Sequence, residues 1–184
     1  MIIGITGTLG AGKNTVVDYL KQKGFAHYSV RKYLIEEIRD RNLELNRDTM
    51  VKVANELRQT NSSSFIVEQL YERAATRKTD CVIESIRTPG EAKALNSKDK
   101  FYLIAVDAEQ KMRYERIKHR NSEKDNISFA KFQEQEAEEM TSNDPNHQNL
   151  SKCMAMADFT VENSGNYDQL YTQVENILAK INAS

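Results

Sequence analysis

Residues 7–15 near the start of the chain read GTLGAGKNT, and they follow the apolar run of residues 1–5. They match the pattern G-x-x-x-x-G-K-[ST] up to its last position, and the helical spacing that opens at Lys13 supplies the structural context that the pattern requires. Glycines let backbone amides converge on an anion, and a helix N-terminus adds its positive dipole end. The stretch therefore predicts a phosphate-binding loop between a strand and a helix.

Two positions of the loop bear on its chemistry. Lys13 would place its ammonium on the β- and γ-phosphates of a nucleoside triphosphate, where charge moves during phosphoryl transfer. Asn14 stands where the pattern has serine or threonine, and a hydroxyl appears one place later, at Thr15. The residues expected to contact the triphosphate are Gly7, Thr8, Leu9, Gly10, Ala11, Gly12, Lys13, Asn14 and Thr15.

The composition bounds the class of ligand. The chain of 184 residues carries 26 basic and 27 acidic residues, a formal charge of −1, and its length fits one domain covering residues 1–184. This balance excludes the broad basic surface of a nucleic-acid binder and favours a small-molecule ligand. Cys81 and Cys153 match no metal spacing and are expected to be buried thiols in a reducing compartment. With no signal sequence and no membrane-length apolar run, we expect a cytoplasmic protein that does not bind membranes.

The hydrophobic patterns along the chain alternate between strand and helix. Short continuous apolar runs at residues 80–84 and 101–106 are typical of strands that helices bury on both faces, and they predict two strands there. Further short strands are predicted at residues 25–30 and 159–161. Helical spacing begins at Arg31 and covers residues 48–76 (as two or three helices interrupted at 61–64), 109–119, 128–140 and 167–181. We therefore predict an α/β fold of three layers, with a five-stranded parallel sheet, helices on both faces and ligands at the carboxyl ends of the strands.

The third predicted strand ends in a carboxylate and a guanidinium, Glu84 and Arg87. Glu84 could hold a magnesium-bound water or orient an attacking hydroxyl, and Arg87 could bind an acceptor phosphate with two parallel hydrogen bonds. The alternative is a salt bridge between the two side chains in the loop.

Three stretches resemble nucleoside monophosphate kinases and dephospho-coenzyme A kinase. They are the loop ending Gly-Lys-x-Thr, the strand end Glu84-Ser-Ile-Arg87 and the run Arg113-Tyr-Glu-Arg116. The last two are most similar to archaeal proteins related to adenylate kinase, whose substrate is uncertain. The resemblance implies a P-loop NTPase fold with a helical acceptor-binding insert and a lid, ATP and Mg²⁺ as ligands, and Thr15 together with Glu84 on the magnesium side.

The resemblance also implies a division of the chain. The core would comprise residues 1–30, 79–112 and 155–184, the acceptor-binding helices residues 31–78, and the lid residues 113–145. Arg113, Arg116 and Arg120 share one helix face, and the resemblance implies that Arg116 and Arg120 above all close over the transferring phosphate. Each could equally be an exposed helix arginine.

Near the carboxyl end, Asn163 and Gly165 resemble the segment that reaches adenine in dephospho-coenzyme A kinase. The contacts there are largely made by the backbone. An ordinary turn after a strand is the alternative.

The acceptor side departs from these families. Dephospho-coenzyme A kinase has an aspartate just after its second strand, where this chain reads Ser29, Val30, Arg31, Lys32. Arg31, Lys32 and Arg58 would make the acceptor pocket cationic, which suits a phosphorylated acceptor, or they are helix-surface charges.

Several other polar residues are expected to have no catalytic role. His27, His119 and His147 are too dispersed for a metal site and are expected to be structural. The acidic cluster of Glu134, Glu136, Glu138 and Glu139 is interpreted as a solvated helix face.

The sequence thus predicts an ATP- and Mg²⁺-dependent kinase that acts on a small, phosphorylated, nucleotide-like acceptor. The alternatives are dephospho-coenzyme A kinase and, from another class, an ATP-binding or ATP-hydrolysing regulatory module without a metabolite acceptor. The acceptor, the base preference and the oligomeric state are left open. The predicted catalytic residues are Lys13, Glu84, Arg87, Arg116 and Arg120.

Overall fold

A computed structural model describes residues 1–119, 127–142 and 147–183, which contain five strands and nine helices. The strands are β1 (Ile2–Gly7), β2 (Ala26–Ser29), β3 (Cys81–Glu84), β4 (Phe101–Asp107) and β5 (Phe159–Glu162). The helices are α1 (Lys13–Gln22), α2 (Val30–Asp40), α3 (Arg47–Thr60), α4 (Phe65–Ala75), α5 (Pro89–Asn96), α6 (Gln110–His119), α7 (Phe129–Met140), α8 (Leu150–Ala155) and α9 (Tyr167–Asn182).

The five strands form one sheet in the order β2-β3-β1-β4-β5, and every pair is parallel. This confirms the predicted fold class. β1 is central, and in its register with β3 Ile5 lies opposite Glu84. Because parallel strands end at the same edge, the loop that leaves β1 starts beside the end of β3.

Helices cover both faces of the sheet, which explains the continuous apolar runs of its strands. On one face, Val16 and Leu20 of α1 and Val174 of α9 pack against Ile3 and Ile104. On the other face, residues of α2, α3, α4, α5 and α8 pack against alternate positions of the same strands. Side chains alternate along a strand, so β1, β3 and β4 each contribute to both layers of the core.

Two short helices, α5 and α8, lie in segments for which no helix was predicted. α5 begins with a capping box: Thr88 Oγ1 accepts from the amide of Glu91, and the Glu91 carboxylate accepts from the amide of Thr88. The sequence signature of this motif, threonine followed three residues later by glutamate, was present at Thr88. The predicted break at 61–64 separates α3 from α4.

The interpretation of the acidic cluster as a solvated face is wrong for Glu136. This side chain on α7 is buried, with 8% of its surface exposed, and it forms an ion pair with Arg113, which is 6% exposed. Glu136 lies four residues after the buried Phe132, on the same helix face. One of the four carboxylates of α7 therefore lies inside the protein.

Candidate functional site

The phosphate loop leaves the carboxyl end of β1 and enters α1 through Gly12. This glycine has a φ of 88°, and a Cβ atom there would lie 2.2 Å from Nδ2 of Asn163, so no other residue fits without strain. Within the described chain, no side chain caps the first turn of α1. No side-chain acceptor of the described residues therefore competes with an anion at this helix N-terminus.

Lys13 folds back over the loop that precedes it. Its Nζ donates hydrogen bonds to the carbonyl oxygens of Gly7, at 2.8 Å, and Thr8, at 2.7 Å. Thr8 is itself held by its hydroxyl, which donates to Oδ1 of Asp107 on β4 at 2.6 Å. The ammonium is thus positioned within the loop by the protein alone.

A cavity of about 140 Å³, which we call the loop cavity, lies between the loop and the end of β3. It brings together residues from separate parts of the chain, so that Lys13, Glu84 and Arg87 surround one space. Its lining residues are Leu9, Gly10, Gly12, Lys13, Asn14, Glu84, Ser85 and Arg87.

Asn14 and Thr15 take different positions around this cavity. Asn14 is exposed and contributes to the lining, whereas Thr15 is half-buried and lies outside the lining set. The Thr15 Oγ1 atom instead lies on the Gly12 side of the loop. The two side chains therefore lie on different sides of the loop.

Glu84 at the end of β3 is held as a carboxylate by its neighbours on β2. His27 Nε2 lies 3.4 Å from Glu84 Oε1, which is within ion-pair distance, although the ring N–H has no aligned hydrogen bond to any described residue. His27 above all, and also Ser29, keeps the pKa of Glu84 below its usual range despite partial desolvation. The next residue, Ser85, has a φ of 74°, a strained conformation of the kind that concentrates at functional sites.

Arg87 is directed away from Glu84 by contacts with α7 and with the segment before α8. Its Nη1 donates to Oε1 of Gln148 at 3.0 Å and lies 4.0 Å from Oε1 of Glu139. Its backbone amide donates to Oε2 of Glu91 at 2.9 Å. Among the described residues there is no Glu84–Arg87 salt bridge, so that alternative is wrong for this structure.

A second cavity of about 980 Å³, the large cavity, adjoins the loop cavity. Arg31 and Arg58 line it, as do the three residues shared with the loop cavity: Glu84, Ser85 and Arg87. Lys32, which was predicted to accompany Arg31 and Arg58, lines neither of these cavities. It faces another concavity at the outer edge of β2 because it is one position further along α2.

The wall of the large cavity is braced by Glu91, whose surface is only 2% exposed. Its carboxylate accepts hydrogen bonds from the amides of Arg87 and Thr88 and lies 3.5 Å from Nη2 of Arg58. The same carboxylate and, above all, burial raise the pKa of the Cys153 thiol to about 12. Glu91 therefore joins α3 to the segment that carries Arg87.

The arginines of α6 have different surroundings. Arg113 is buried. Its Nε donates to the carbonyl of Ala108 at 2.7 Å, and its Nη1 donates to the carbonyl of Leu9 at 3.3 Å. Arg113 therefore supports the phosphate loop through Leu9. Arg116 Nη2 donates to the carbonyl of Asn163 at 2.7 Å, while its Nη1 is buried and has no partner among the described residues. Arg120 and the expected lid tip at 121–126 lie outside the described residues.

The segment after β5 lies against the phosphate loop. Asn163 Nδ2 donates to the carbonyl of Ala11 at 2.8 Å, and its backbone amide donates to the carbonyl of Asp107 at 2.7 Å. Gly165 follows in the turn that precedes α9. The predicted adenine segment is thus next to the loop, with the Asn163 side chain used as a structural tie.

Two features of the described residues bear on ligands and partners. No group of three or more histidine, cysteine, aspartate or glutamate side chains could hold a metal ion there. In the same part of the chain, no helix combines the length and the apolar character needed to cross a membrane.

A family model described as an AAA domain matches residues 3–143, well over half of the chain. The chain belongs to this AAA domain family. The matched part runs from β1 to the segment after α7, and it includes the loop, Glu84, Arg87 and Arg116.

Curated relatives of this AAA domain carry names that state no activity. A UPF0200/UPF0201 protein of Archaeoglobus fulgidus is 28% identical over 98% of the chain, which spans 55%, about half, of that relative. A UPF0200 protein of Methanococcus vannielii is also 28% identical, over 98% of this chain and 96% of its own length.

Solved structures similar to the AAA domain establish its fold. TT1252 from Thermus thermophilus aligns with a TM-score of 0.67 at 17% identity, covering 98% of this chain and 97% of its own. Shikimate kinase from Bacteroides thetaiotaomicron aligns with a TM-score of 0.57 at 13% identity, over 99% and 98% of the two chains. The AAA domain thus has a P-loop kinase-like fold.

Sequence reasoning missed two residues at this site of the AAA domain. His27 was expected to be only structural, and Glu91 was not considered. His27 and Ser29 are two residues apart on β2 and therefore share a strand face, which could have been predicted from the sequence. The pairing of β2 with β3, which brings His27 close to Glu84, could not be predicted from the sequence.

Replacement of Asn163 with alanine is expected to lower the free energy of unfolding of the AAA domain by about 1–3 kcal/mol, because the buried carbonyl of Ala11 loses its donor. Asn96→Ala is the matched control, since its Nδ2 also donates to a main-chain carbonyl, that of Met156 at 2.9 Å, but at an exposed position. Urea denaturation measures both losses. Equal losses would contradict a special role for the tie at Asn163.

Proposed function

We propose that this protein is an ATP- and Mg²⁺-dependent phosphotransferase that acts on a small, phosphorylated, nucleotide-like acceptor. The observation that carries the proposal is that the loop cavity and the large cavity share Glu84, Ser85 and Arg87. A donor in the first cavity and an acceptor in the second would meet at these residues. Phosphoryl transfer depends mainly on such positioning and on electrostatic stabilisation.

On the donor side, the amides of the loop and of the first turn of α1 would bind phosphate oxygens. Lys13 would exchange its carbonyl partners, Gly7 and Thr8, for the β- and γ-phosphates, since an anion is a stronger partner for an ammonium than a neutral carbonyl. Asn163 and Gly165 would lie beside the adenine. Arg116 and Arg120 would stabilise charge on the transferring group.

The residues at the loop fit Mg²⁺ better than a metal that needs a full protein cage. Mg²⁺ is held by one or two carboxylates together with water and substrate phosphates. Glu84 supplies a carboxylate whose lowered pKa keeps it ionised, and we assign Thr15 as the second residue on the metal side. When bound, the ion would neutralise charge on the donor phosphates.

On the acceptor side, the large cavity offers three guanidinium groups, those of Arg31, Arg58 and Arg87. Four carboxylates line the same cavity, those of Glu84, Glu91, Glu138 and Glu139. Guanidinium groups recognise phosphate with paired hydrogen bonds, which favours a phosphorylated acceptor. With a hydroxyl acceptor such as dephospho-coenzyme A, Glu84 would orient the attacking oxygen. This role would replace the aspartate that the segment after β2 lacks.

An acceptor panel tests the proposal. Purified protein with ATP and Mg²⁺ is offered nucleoside monophosphates, deoxynucleoside monophosphates, dephospho-coenzyme A or shikimate, and ADP release is measured. We expect release to depend on a phosphorylated acceptor. Arg87→Ala should raise the KM for that acceptor about 10–100-fold, because a charge-assisted hydrogen bond to it is lost. Arg39→Ala, an exposed residue of α2, is the control.

Other outcomes separate the alternatives. Release that depends on dephospho-coenzyme A alone identifies that kinase activity, and dependence on shikimate contradicts a phosphorylated acceptor. Slow ATP hydrolysis that no acceptor stimulates, together with a nucleotide-dependent change in oligomeric state, would overturn the transferase proposal in favour of a regulatory module.

A further inference from the structure

A third cavity, the edge cavity, lies along the outer side of β2 between α2 and α4 and has a volume of about 490 Å³. It shares no lining residue with the loop cavity or the large cavity. β2 is an edge strand of the sheet, and the cavity follows it from Ala26 to Ser29 at the side of the molecule. It is therefore separate from the proposed transfer site.

The charges that line the edge cavity are unbalanced. Lys32, Arg73 and Arg77 carry positive charge, and the only lining carboxylate is that of Glu36. Glu36 is already paired, since its Oε2 accepts from Nη1 of Arg73 at 2.8 Å. Among the described residues, neither Lys32 nor Arg77 has a carboxylate within ion-pair distance. The concave arrangement of these charges focuses a positive potential into the cavity.

The two guanidinium groups are held in place before any ligand binds. Arg77 Nε donates to the hydroxyl of Tyr28 at 3.0 Å, and that hydroxyl donates to the carbonyl of Arg73 at 3.3 Å. The Arg73 guanidinium lies over the ring of Tyr33, 4.8 Å from its centroid. Because Arg77 uses Nε for this contact, its Nη1 and Nη2 atoms can donate hydrogen bonds to a ligand. Arginines ordered in this way lose less entropy when they bind an oxyanion.

We propose that the edge cavity binds a small anion bearing a phosphate group, through Lys32, Arg73 and Arg77. The paired donors of a guanidinium match two phosphate oxygens, and Lys32 adds a point charge. The ring of His27 lines the same cavity while its Nε2 lies 3.4 Å from Glu84 Oε1, so one side chain separates the bound anion from the transfer site. The proposal does not depend on the acceptor or on catalysis.

Binding can be tested on the full chain with the loop saturated by a non-hydrolysable ATP analogue and Mg²⁺. Inorganic phosphate and ribose 5-phosphate, a phosphomonoester, are titrated separately while backbone amide shifts are followed by NMR. We expect saturable shifts in β2 and at the end of α4 with either probe. Tighter binding of ribose 5-phosphate would identify an ester ligand, and tighter binding of phosphate a free anion.

Matched variants decide whether the edge cavity is responsible. Arg77→Gln is expected to weaken binding about tenfold or more, as for the loss of charge-assisted hydrogen bonds. Arg39→Gln removes the same charge from α2 outside the cavity and should leave the affinity unchanged. Both side chains are exposed, so the folded state is retained and is checked by thermal unfolding. Shifts confined to the loop and Arg87, or equal weakening by both variants, would overturn the proposal.

Discussion

Replacement of Lys13 with alanine is expected to remove nearly all phosphotransfer. The rate constant should fall about 10²–10³-fold, comparable to the loss of one preorganised donor to the transition state. ATP affinity should fall about 10–100-fold, because one charge-assisted contact to the phosphates is lost. The folded state should persist, since the Nζ contacts to the carbonyls of Gly7 and Thr8 lie in a loop that glycines already shape.

The matched control for this change is Lys21→Ala on the same helix. Lys21 is exposed and paired with Asp18 at 2.8 Å, far from the loop, and its loss should change neither ATP affinity nor rate. ATP affinity is measured by calorimetry and turnover by ADP release. An unchanged ATP affinity together with an unchanged rate of ADP release in Lys13→Ala would contradict the assignment of the donor site. Loss of acceptor-stimulated ADP release with retained ATP binding would show that Lys13 acts in phosphoryl transfer and not in ATP binding.

Replacement of Glu136 with alanine is expected to lower the free energy of unfolding by about 3 kcal/mol, because the buried guanidinium of Arg113 keeps only one carboxylate, that of Asp107, whose Oδ1 lies 3.6 Å from Nε. Gln110 would lose a partner too, since its Nε2 also donates to Glu136. ATP binding should weaken as well. Arg113 donates to the carbonyl of Leu9, and its own carbonyl would be 2.6 Å from a Cβ on Gly10, so α6 directly supports the loop.

Glu134→Ala is the control for this prediction. Glu134 lies on the same helix and is paired with Lys131 at 2.7 Å, but both side chains are exposed, and such pairs are solvated and screened. Its removal should leave the urea denaturation midpoint unchanged. A double-mutant cycle isolates the buried pair, because Glu136→Ala should cost much less once Arg113 is alanine. Equal effects of the two glutamate variants would show that the ion pair does not stabilise the fold.

The order of strand and helix could be predicted because it depends on local patterns. Apolar runs such as that of β4 are continuous in the sequence, and the loop requires glycines at neighbouring positions. The short helix α5 was missed although its Thr88 cap has a local signature. By contrast, the expectation that Lys32 joins Arg31 failed because adjacent residues of a helix point about 100° apart and here enter different cavities.

The sequence by itself determined that a phosphate loop joins a strand to a helix at residues 7–15, because the conformations of that loop depend on its own glycines and lysine. Only the tertiary structure decided what surrounds it. Arg113 and Glu136 meet across 23 positions and Asn163 reaches Ala11 across 152, while His27 approaches Glu84 through the pairing of β2 with β3. Such contacts follow from the packing of whole elements, which no local pattern of residues specifies.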